Sequence, residues 1–308
     1  MSKPKFIDLF AGIGGVHIAL ENAGAECVFV SEWDSEARKT YKHAFGERNP
    51  ELFVESMDGN GVISFPKFAG DITKVAPESI DDFDILCAGF PCQPFSQAGL
   101  RKGMDEARGT LFFDIVNILK VKKPRAYFLE NVRGLLSHRS GERMTIDIVK
   151  EQLTNLGYTY NLFQVKASDF NTPQLRPRVF IIGFRDEDDQ VRFEQPEKME
   201  LKTTLKDILG PEVNREIAYT LRVGGRGSGL SDRRNWDTYK VGESVVRIEK
   251  EHGLKIQGFP DWFSFPIEVS NSQAMKQLGN SVAVPAVEAY AKAITKALNG
   301  DKEVANQK

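Results

Sequence analysis

The stretch Phe6-Ile7-Asp8-Leu9-Phe10-Ala11-Gly12-Ile13-Gly14-Gly15 decides the fold. Phe6 to Phe10 is an apolar run of strand length, and the glycine turn behind it opens a helical stretch to about Ala23. Cys27 to Val30 is β-branched and aromatic, ends at Ser31-Glu32-Trp33-Asp34, and predicts a second strand with a helix to follow. Asp84 to Phe90 reads as a buried strand that stops at Pro91. Leu111, Phe112, Ile115, Val116 and Leu119 recur at helical spacing and predict an amphipathic helix laid on a sheet. Ala126 to Leu129 predicts another buried strand, Thr145 to Leu156 a helix, and Tyr158 to Val165 and Val179 to Phe184 two further strands. Strands alternating with helices predict an α/β fold with a doubly wound, mostly parallel sheet. Ligands of such a sheet sit beyond the carboxyl ends of its strands.

The pattern changes near Arg185. Asp186 to Glu200 carries dense charge, and Tyr219 to Lys240 is rich in Gly, Arg, Ser and Asp with little periodicity. We read residues 1–185 as one domain, 186–271 as a smaller loop-rich domain, and 272–308 as a segment returning to the first. In that segment Pro285 to Leu298 predicts a helix packed back on the first domain, and the last eight residues read as a disordered tail.

The chain has 308 residues, 41% apolar and 27% charged, which excludes disordered and fibrous classes. No run approaches 18 uninterrupted apolar residues, and Met1-Ser2-Lys3-Pro4-Lys5 lacks the apolar stretch of a secretory signal. A soluble, cytoplasmic protein without membrane contact is expected. Three cysteines rule out a disulfide framework, and none of the four histidines pairs with a cysteine at metal spacing, so no metal is expected. The net charge of -2 gives no bulk argument for nucleic acid, so any DNA contact must be local. Residues 51–89 carry eight acids and two lysines, whereas 101–150 carry eleven Lys or Arg against six acids. Residues 219–250 carry seven Lys or Arg against four acids.

Backbone N–H groups in the glycine turn and the helix behind it attract a ligand's negative group. His17 stands where a dinucleotide fingerprint needs its third glycine, which argues against a nicotinamide oxidoreductase. Glu32, 20 residues after Gly12, is placed to accept hydrogen bonds from ribose hydroxyls. Both features also fit a tight turn and a solvated glutamate. Gly89-Phe90-Pro91-Cys92-Gln93-Pro94-Phe95-Ser96 sets a cysteine between two prolines, just past a buried strand. Such a rigid, accessible thiol suits a nucleophile, though a loop cysteine without chemistry fits as well. Cys27 and Cys87 lie inside apolar runs and read as core. Glu130-Asn131-Val132 ends another strand in the same crevice, where a carboxyl can protonate or hydrogen-bond a ring nitrogen. Gln174-Leu175-Arg176-Pro177-Arg178 supplies two guanidiniums suited to a phosphate or a base carbonyl.

With these residues in hand, the chain resembles the DNA (cytosine-5-)-methyltransferases of bacterial restriction-modification systems. The resemblance is carried by Asp8 to Gly15, Gly70-Asp71-Ile72, the proline–cysteine loop, Arg108-Gly109-Thr110-Leu111-Phe112 and Glu130-Asn131-Val132. Further blocks are Gln174 to Arg178, Gln257-Gly258-Phe259-Pro260, and Gln277-Leu278-Gly279-Asn280-Ser281-Val282-Ala283-Val284-Pro285. They stand in the family's order. The resemblance implies the S-adenosylmethionine-dependent methyltransferase fold, with S-adenosyl-L-methionine as cofactor and S-adenosyl-L-homocysteine as product. Phe10, Ala11, Gly12, Gly14 and Gly15 would cradle that cofactor, with Glu32 on its ribose, Trp33 packed on the adenine and Asp71 accepting from the adenine amino group. Ile72, Pro91, Leu111, Asn280 and Ser281 would complete the pocket. Cys92 would be the nucleophile that forms a covalent adduct with a flipped-out cytosine, Glu130 would act at ring nitrogen 3, and Asn131 would support Glu130. Arg176 and Arg178 would hold the flipped nucleotide.

The expected partner is double-stranded DNA, read by Arg222, Arg226, Arg233 and Arg234 from the glycine-rich loop and its surroundings. A monomer is expected, with a cognate restriction endonuclease encoded separately. One departure stands out: Glu251-His252 occupies the place of the family's Arg-Glu pair, which leaves open how the small domain is braced. The competing readings are a cytosine-5 methyltransferase acting on transfer RNA and a non-catalytic DNA-binding relative.

Overall fold

In a computed structural model that describes residues 2–57, 63–90 and 111–300, the central element is a seven-stranded sheet. In chain order its strands are β1 (Lys5–Leu9), β2 (Glu26–Ser31), β3 (Phe68–Ala69), β4 (Ile85–Gly89), β5 (Ala126–Val132), β6 (Asn161–Lys166) and β7 (Pro177–Phe184). Across the sheet they lie in the order β6-β7-β5-β4-β1-β2-β3. Pairings among β1 to β5 are parallel, whereas β7 is antiparallel to both β5 and β6. The sheet is therefore mostly parallel, with β7 alone reversed.

Both faces of the sheet are covered, so its strands alternate between two cores rather than between core and water. In β4, Ile85 and Cys87 face one cluster while Leu86 and Ala88 face the other. In β5, Ala126 and Phe128 alternate in the same way with Tyr127 and Leu129. The first cluster includes apolar residues of α1 (Gly15–Asn22), α2 (Ser35–Phe45) and α9 (Val284–Asn299), and the second those of α3 (Leu111–Lys122) and α4 (Thr145–Asn155). Cys27 and Cys87 are both buried in the first, as their apolar surroundings require.

The sequence placed most of these elements to within a residue or two. The strand expected from Tyr158 begins instead at Asn161, because Tyr158 turns inward to donate its hydroxyl to the Pro124 carbonyl. Helix α5 (Glu187–Arg192) lies beyond the expected boundary at Arg185 but packs on β7 and α9. Its Asp189 is buried and takes both Arg125 Nε and Nη2, at 3.1 and 2.8 Å, while Arg125 also reaches the Leu298 carbonyl. After α6 (Leu205–Leu209) comes a loop-rich stretch whose only ladder is the hairpin of β8 (Thr238–Val241) and β9 (Ser244–Arg247). Two helices, α7 (Lys250–Ile256) and α8 (Asn271–Asn280), then lead into α9, which packs against α1 as the returning helix was expected to do. Among the described residues no helix is long and apolar enough to cross a membrane. The expected tail, residues 301–308, lies outside the described residues.

Gly183 shows how tightly β7 is fitted. A Cβ there would stand 2.0 Å from the Thr159 carbonyl and 2.5 Å from the Tyr127 ring. Gly183→Ala should lower the unfolding free energy by about 2–3 kcal/mol through overpacking. Chemical denaturation reads this directly, and an unchanged midpoint would refute the packing described.

Candidate active site

Five parallel strand ends and one reversed strand meet at a single edge. At the end of β1, Phe10 adopts a left-handed φ of 59° and turns the chain into the glycine loop. Gly14, at φ 87°, caps α1, and a Cβ there would lie 2.3 Å from the Phe45 ring. Glycine is thus required both by backbone conformation and by the close approach of α2. Glu32, at the end of β2, is only 8% exposed, and burial pushes its carboxyl up from the usual range. One oxygen accepts from the Gly12 N–H at 2.7 Å and the other from the Asp34 N–H at 2.7 Å. That fixes the carboxylate at the rim of a cavity of about 1100 Å³.

The cavity runs from Phe10, Gly12, Glu32 and Trp33, past Asp71 and Ile72, to Leu111 and Asn280. Its far end is lined by Glu130, Asn131 and Arg178. Residues expected at the cofactor and residues expected at the chemistry thus share one cavity. Trp33 is 82% exposed, its ring open to solvent at the rim. Asp71 accepts from the Thr73 hydroxyl at 2.8 Å and the Thr73 N–H at 3.1 Å, and the hydroxyl leads in holding its carboxyl low.

The reversed strand explains the far end. Because β7 runs against β5, its first residues lie at the edge where β5 finishes, with Arg178 opposite Val132 and Phe180 opposite Glu130. Arg178 Nε stands 2.6 Å from Glu130 Oε1, with the two side chains 14% and 12% exposed. Asn131 is buried and points away from this pair. Its amide donates to the Phe90 carbonyl at 2.9 Å and its oxygen accepts from the Val132 N–H at 2.8 Å. It therefore fixes the end of β4 rather than Glu130, which corrects the support expected of it. Phe90 is the last described residue before the segment that holds Pro91 and Cys92, and both of those lie outside the described residues, as do Arg108 to Thr110.

A glycine turn thus stands under a cavity roomy enough for a nucleoside-bearing ligand, with a carboxylate–guanidinium pair at its far end. The family model for C-5 cytosine-specific DNA methylase matches residues 4–227 and 232–296. The chain belongs to that family. It is 36% identical to Type II methyltransferase M.HhaI of Haemophilus parahaemolyticus, over 96% of this chain and 95% of that protein. With Type II methyltransferase M.SsoII of Shigella sonnei it shares 39% identity, covering 96% and 81% respectively. Among solved structures, the Dnmt2 methyltransferase of S. pombe superposes with a TM-score of 0.66 at 19% identity, covering 96% of this chain and all of that one. At that identity the likeness speaks for the fold.

Not every expected residue of this methylase faces the cavity. Ala11, Gly14, Gly15 and Ser281 lie behind its wall, and a Cβ on Gly15 would meet Ser281 Oγ at 3.0 Å and Val282 at 2.8 Å. The returning segment thus closes directly on the glycine turn. Arg176 requires a correction. It is 1% exposed, donates from Nη1 to the Leu221 carbonyl at 3.2 Å and from Nη2 to the Gly279 carbonyl at 3.0 Å, and also reaches the Ser281 carbonyl. Three of its five N–H donors thus go to backbone carbonyls, and it does not line the large cavity as Arg178 does.

Arg226 requires another. Its guanidinium lies 3.3 Å from Glu249 and 3.6 Å from the buried Asp237, and donates to the Ile248 carbonyl. Asp237 also accepts from the Gly227 N–H at 3.0 Å and sits 3.6 Å from Arg247 Nε. Arg226 therefore braces the glycine-rich loop instead of presenting itself to a base. Glu249, in turn, is tied by its N–H to His252 Nδ1, so these residues supply a brace where the family's Arg-Glu pair is absent. Arg234 is exposed and paired with Asp232, whose carboxyl it pulls down to about 2. Arg222 and Arg233 are exposed and carry no ion pair among the described residues.

Sequence reading missed Asp114 and Asn117, which line the cavity from α3. Their spacing of three on the polar side of an amphipathic helix was the available signal. Removing the loop brace has a measurable consequence. Asp237→Ala should cost about 1.5–3 kcal/mol of local stability, the range for hydrogen bonds to a charged group. Trypsin cleavage after Arg226 should then accelerate by about tenfold or more if it follows local opening. A cleavage rate equal to that of the wild type would show that Asp237 does not hold the loop.

Proposed function

We propose that this chain is a site-specific DNA methyltransferase that moves a methyl group from S-adenosyl-L-methionine to carbon 5 of a flipped-out cytosine, through a covalent adduct on Cys92. The observation that carries the reading is the Glu130–Arg178 pair at the far end of a cavity large enough for the cofactor, beside the strand that leads toward Cys92. DNA (cytosine-5-)-methyltransferase activity is the activity of the family to which the chain belongs.

Phe10, Gly12, Glu32, Trp33, Asp71, Ile72, Leu111 and Asn280 line a space that fits the cofactor, with the Glu32 carboxylate rigidly presented to ribose hydroxyls. When bound there, S-adenosyl-L-methionine supplies an electrophilic methyl group. Everything else is the work of side chains on the base. Carbon 5 of cytosine is too electron-poor to accept a methyl cation unaided. Addition of the Cys92 thiolate to carbon 6, with Glu130 in its protonated form giving its proton at nitrogen 3, makes carbon 5 enamine-like. After methylation, a base removes the proton from carbon 5 and the C6–S bond breaks, returning its electrons to Cys92. Arg178 holds Glu130 in place and faces the base. Serine at position 92 would be almost wholly protonated near neutral pH, which is why the chemistry uses a thiol.

A stacked cytosine hides carbon 6, so the base must leave the duplex at a cost of a few kcal/mol. Contacts from the region of residues 186–271, acting as target-recognition domain, offset that cost. Arg222 and Arg233 are its free guanidiniums. We place the protein in the cytoplasm as a monomer on double-stranded DNA, protecting it from a separately encoded restriction endonuclease.

The test is incubation with methyl-labelled cofactor and either duplex DNA or total transfer RNA. Label should appear in DNA as 5-methylcytosine and vanish with Cys92→Ser, while that variant still binds DNA. Label in RNA alone would move the activity to transfer RNA, and wild-type turnover by Cys92→Ser would overturn the covalent mechanism.

A further inference from the structure

Leu221 stands at the root of the glycine-rich loop, and both of its backbone polar groups are held by the same short block. Its N–H donates to Gln174 Oε1 at 3.0 Å, and its carbonyl accepts from Arg176 Nη1 at 3.2 Å. Gln174, Arg176 and Leu221 are all buried. The opposite branch of the Arg176 fork holds the Gly279 and Ser281 carbonyls, at the end of α8 where Gly279 and Asn280 line the cavity. One rigid, planar cation therefore spans the recognition loop and the wall of the cofactor pocket.

Gly279 closes the same junction from the other side. A Cβ at that position would lie 2.6 Å from the Arg222 carbonyl carbon and 2.7 Å from the Val223 N–H nitrogen. The loop root and the end of α8 are in backbone contact that no side chain permits. Arg176 is one residue from Pro177, where β7 begins, and Arg178 on that strand pairs with Glu130. Burial and the charge of Arg178 both oppose the Arg176 charge, and Glu130 favours it. Such a guanidinium stays in place only while its acceptors keep their spacing.

We propose that Arg176, with Gly279, is a positioning junction through which occupation of the cofactor pocket and engagement of target DNA strengthen each other. The inference rests on the functional reading above. A ligand that fixes the end of α8 fixes two of the three carbonyls of the fork and so holds the third, at the loop root, in its DNA-competent place. Linkage makes the effect reciprocal.

The experiment measures the dissociation constant of full-length protein for a duplex carrying its mapped methylation site, with and without saturating S-adenosyl-L-homocysteine. Wild type, Arg176→Met, Arg176→Lys and Gly279→Ala are compared by fluorescence anisotropy. In the wild type the cofactor product should tighten DNA binding by about tenfold, within the usual range of such couplings. In Arg176→Met and Gly279→Ala that factor should fall to about twofold or less, with Arg176→Lys between, since its ammonium reaches fewer carbonyls. A merely structural role would weaken each affinity and leave the factor at its wild-type value. That result, or a wild type with no factor at all, overturns the proposal. Should Arg176→Met fail to fold, Gly279→Ala decides the matter. Absence of both methyl transfer and S-adenosyl-L-homocysteine binding in the wild type would instead remove the functional reading itself.

Discussion

Strand β7 enters the sheet against the direction of its neighbours, and the chemistry depends on that reversal. Parallel strands deliver their carboxyl ends to the ligand edge, so a residue at a strand's start ordinarily lies on the far side. Reversal inverts this for one strand and sets Arg178, the second residue of β7, against Glu130 near the end of β5. Two largely buried charges at 2.6 Å are tolerable only as a pair, since either alone would bear its desolvation uncompensated. The pair thus fixes the register in which β7 docks, and that register sets where Arg176 and Gln174 fall just upstream.

Those two residues carry the order of the site outward. Gln174 and Arg176 hold Leu221, and through it the start of the loop-rich region. Gln257, also fully buried, donates to the Leu278 carbonyl and accepts at its own carbonyl from the Val284 N–H. Segments far apart in the chain are joined by side-chain amides and a guanidinium bonded to backbone, beside short backbone pairs such as the Leu175 N–H to the Ala218 carbonyl at 3.1 Å. Buried polar groups of this kind lose far more by going unpaired than they gain by pairing, so they enforce one arrangement.

Local order was legible in the residues. The continuous apolar runs of β4 and β5, the glycine turn after β1 and the 3.6-period apolar repeat of α3 all stand openly in the sequence, whereas the division of β4 and β5 between two cores shows only in the structure. The position of Glu32 was legible for the same reason: it ends a strand, and strand ends of this sheet face the ligand. Arg176 and Arg226 were not, because a charge in a sequence does not announce its partner. The acceptors of Arg176 are backbone carbonyls 45 to 105 residues away, and those of Arg226 include a buried aspartate 11 positions on. Composition near each arginine suggested a nucleic acid, whereas the structure supplies an internal counter-group.

Asp237 shows why that distinction matters for recognition. A loop with Gly225 and Gly227 at φ 81° and 86° would wander if left to its backbone. A buried carboxylate, two guanidiniums and the Trp236 indole N–H, which donates to the Gly224 carbonyl at 2.9 Å, hold it instead. The ordering entropy of the loop is then met on folding and need not be met again on binding, which leaves more of each DNA contact to appear as affinity. A loop braced in this way separates its arginines into those that give it shape and those that meet the ligand. By that division Arg226 belongs to the first group, and the exposed Arg222 and Arg233, which carry no ion pair among the described residues, are the ones proposed above for the second.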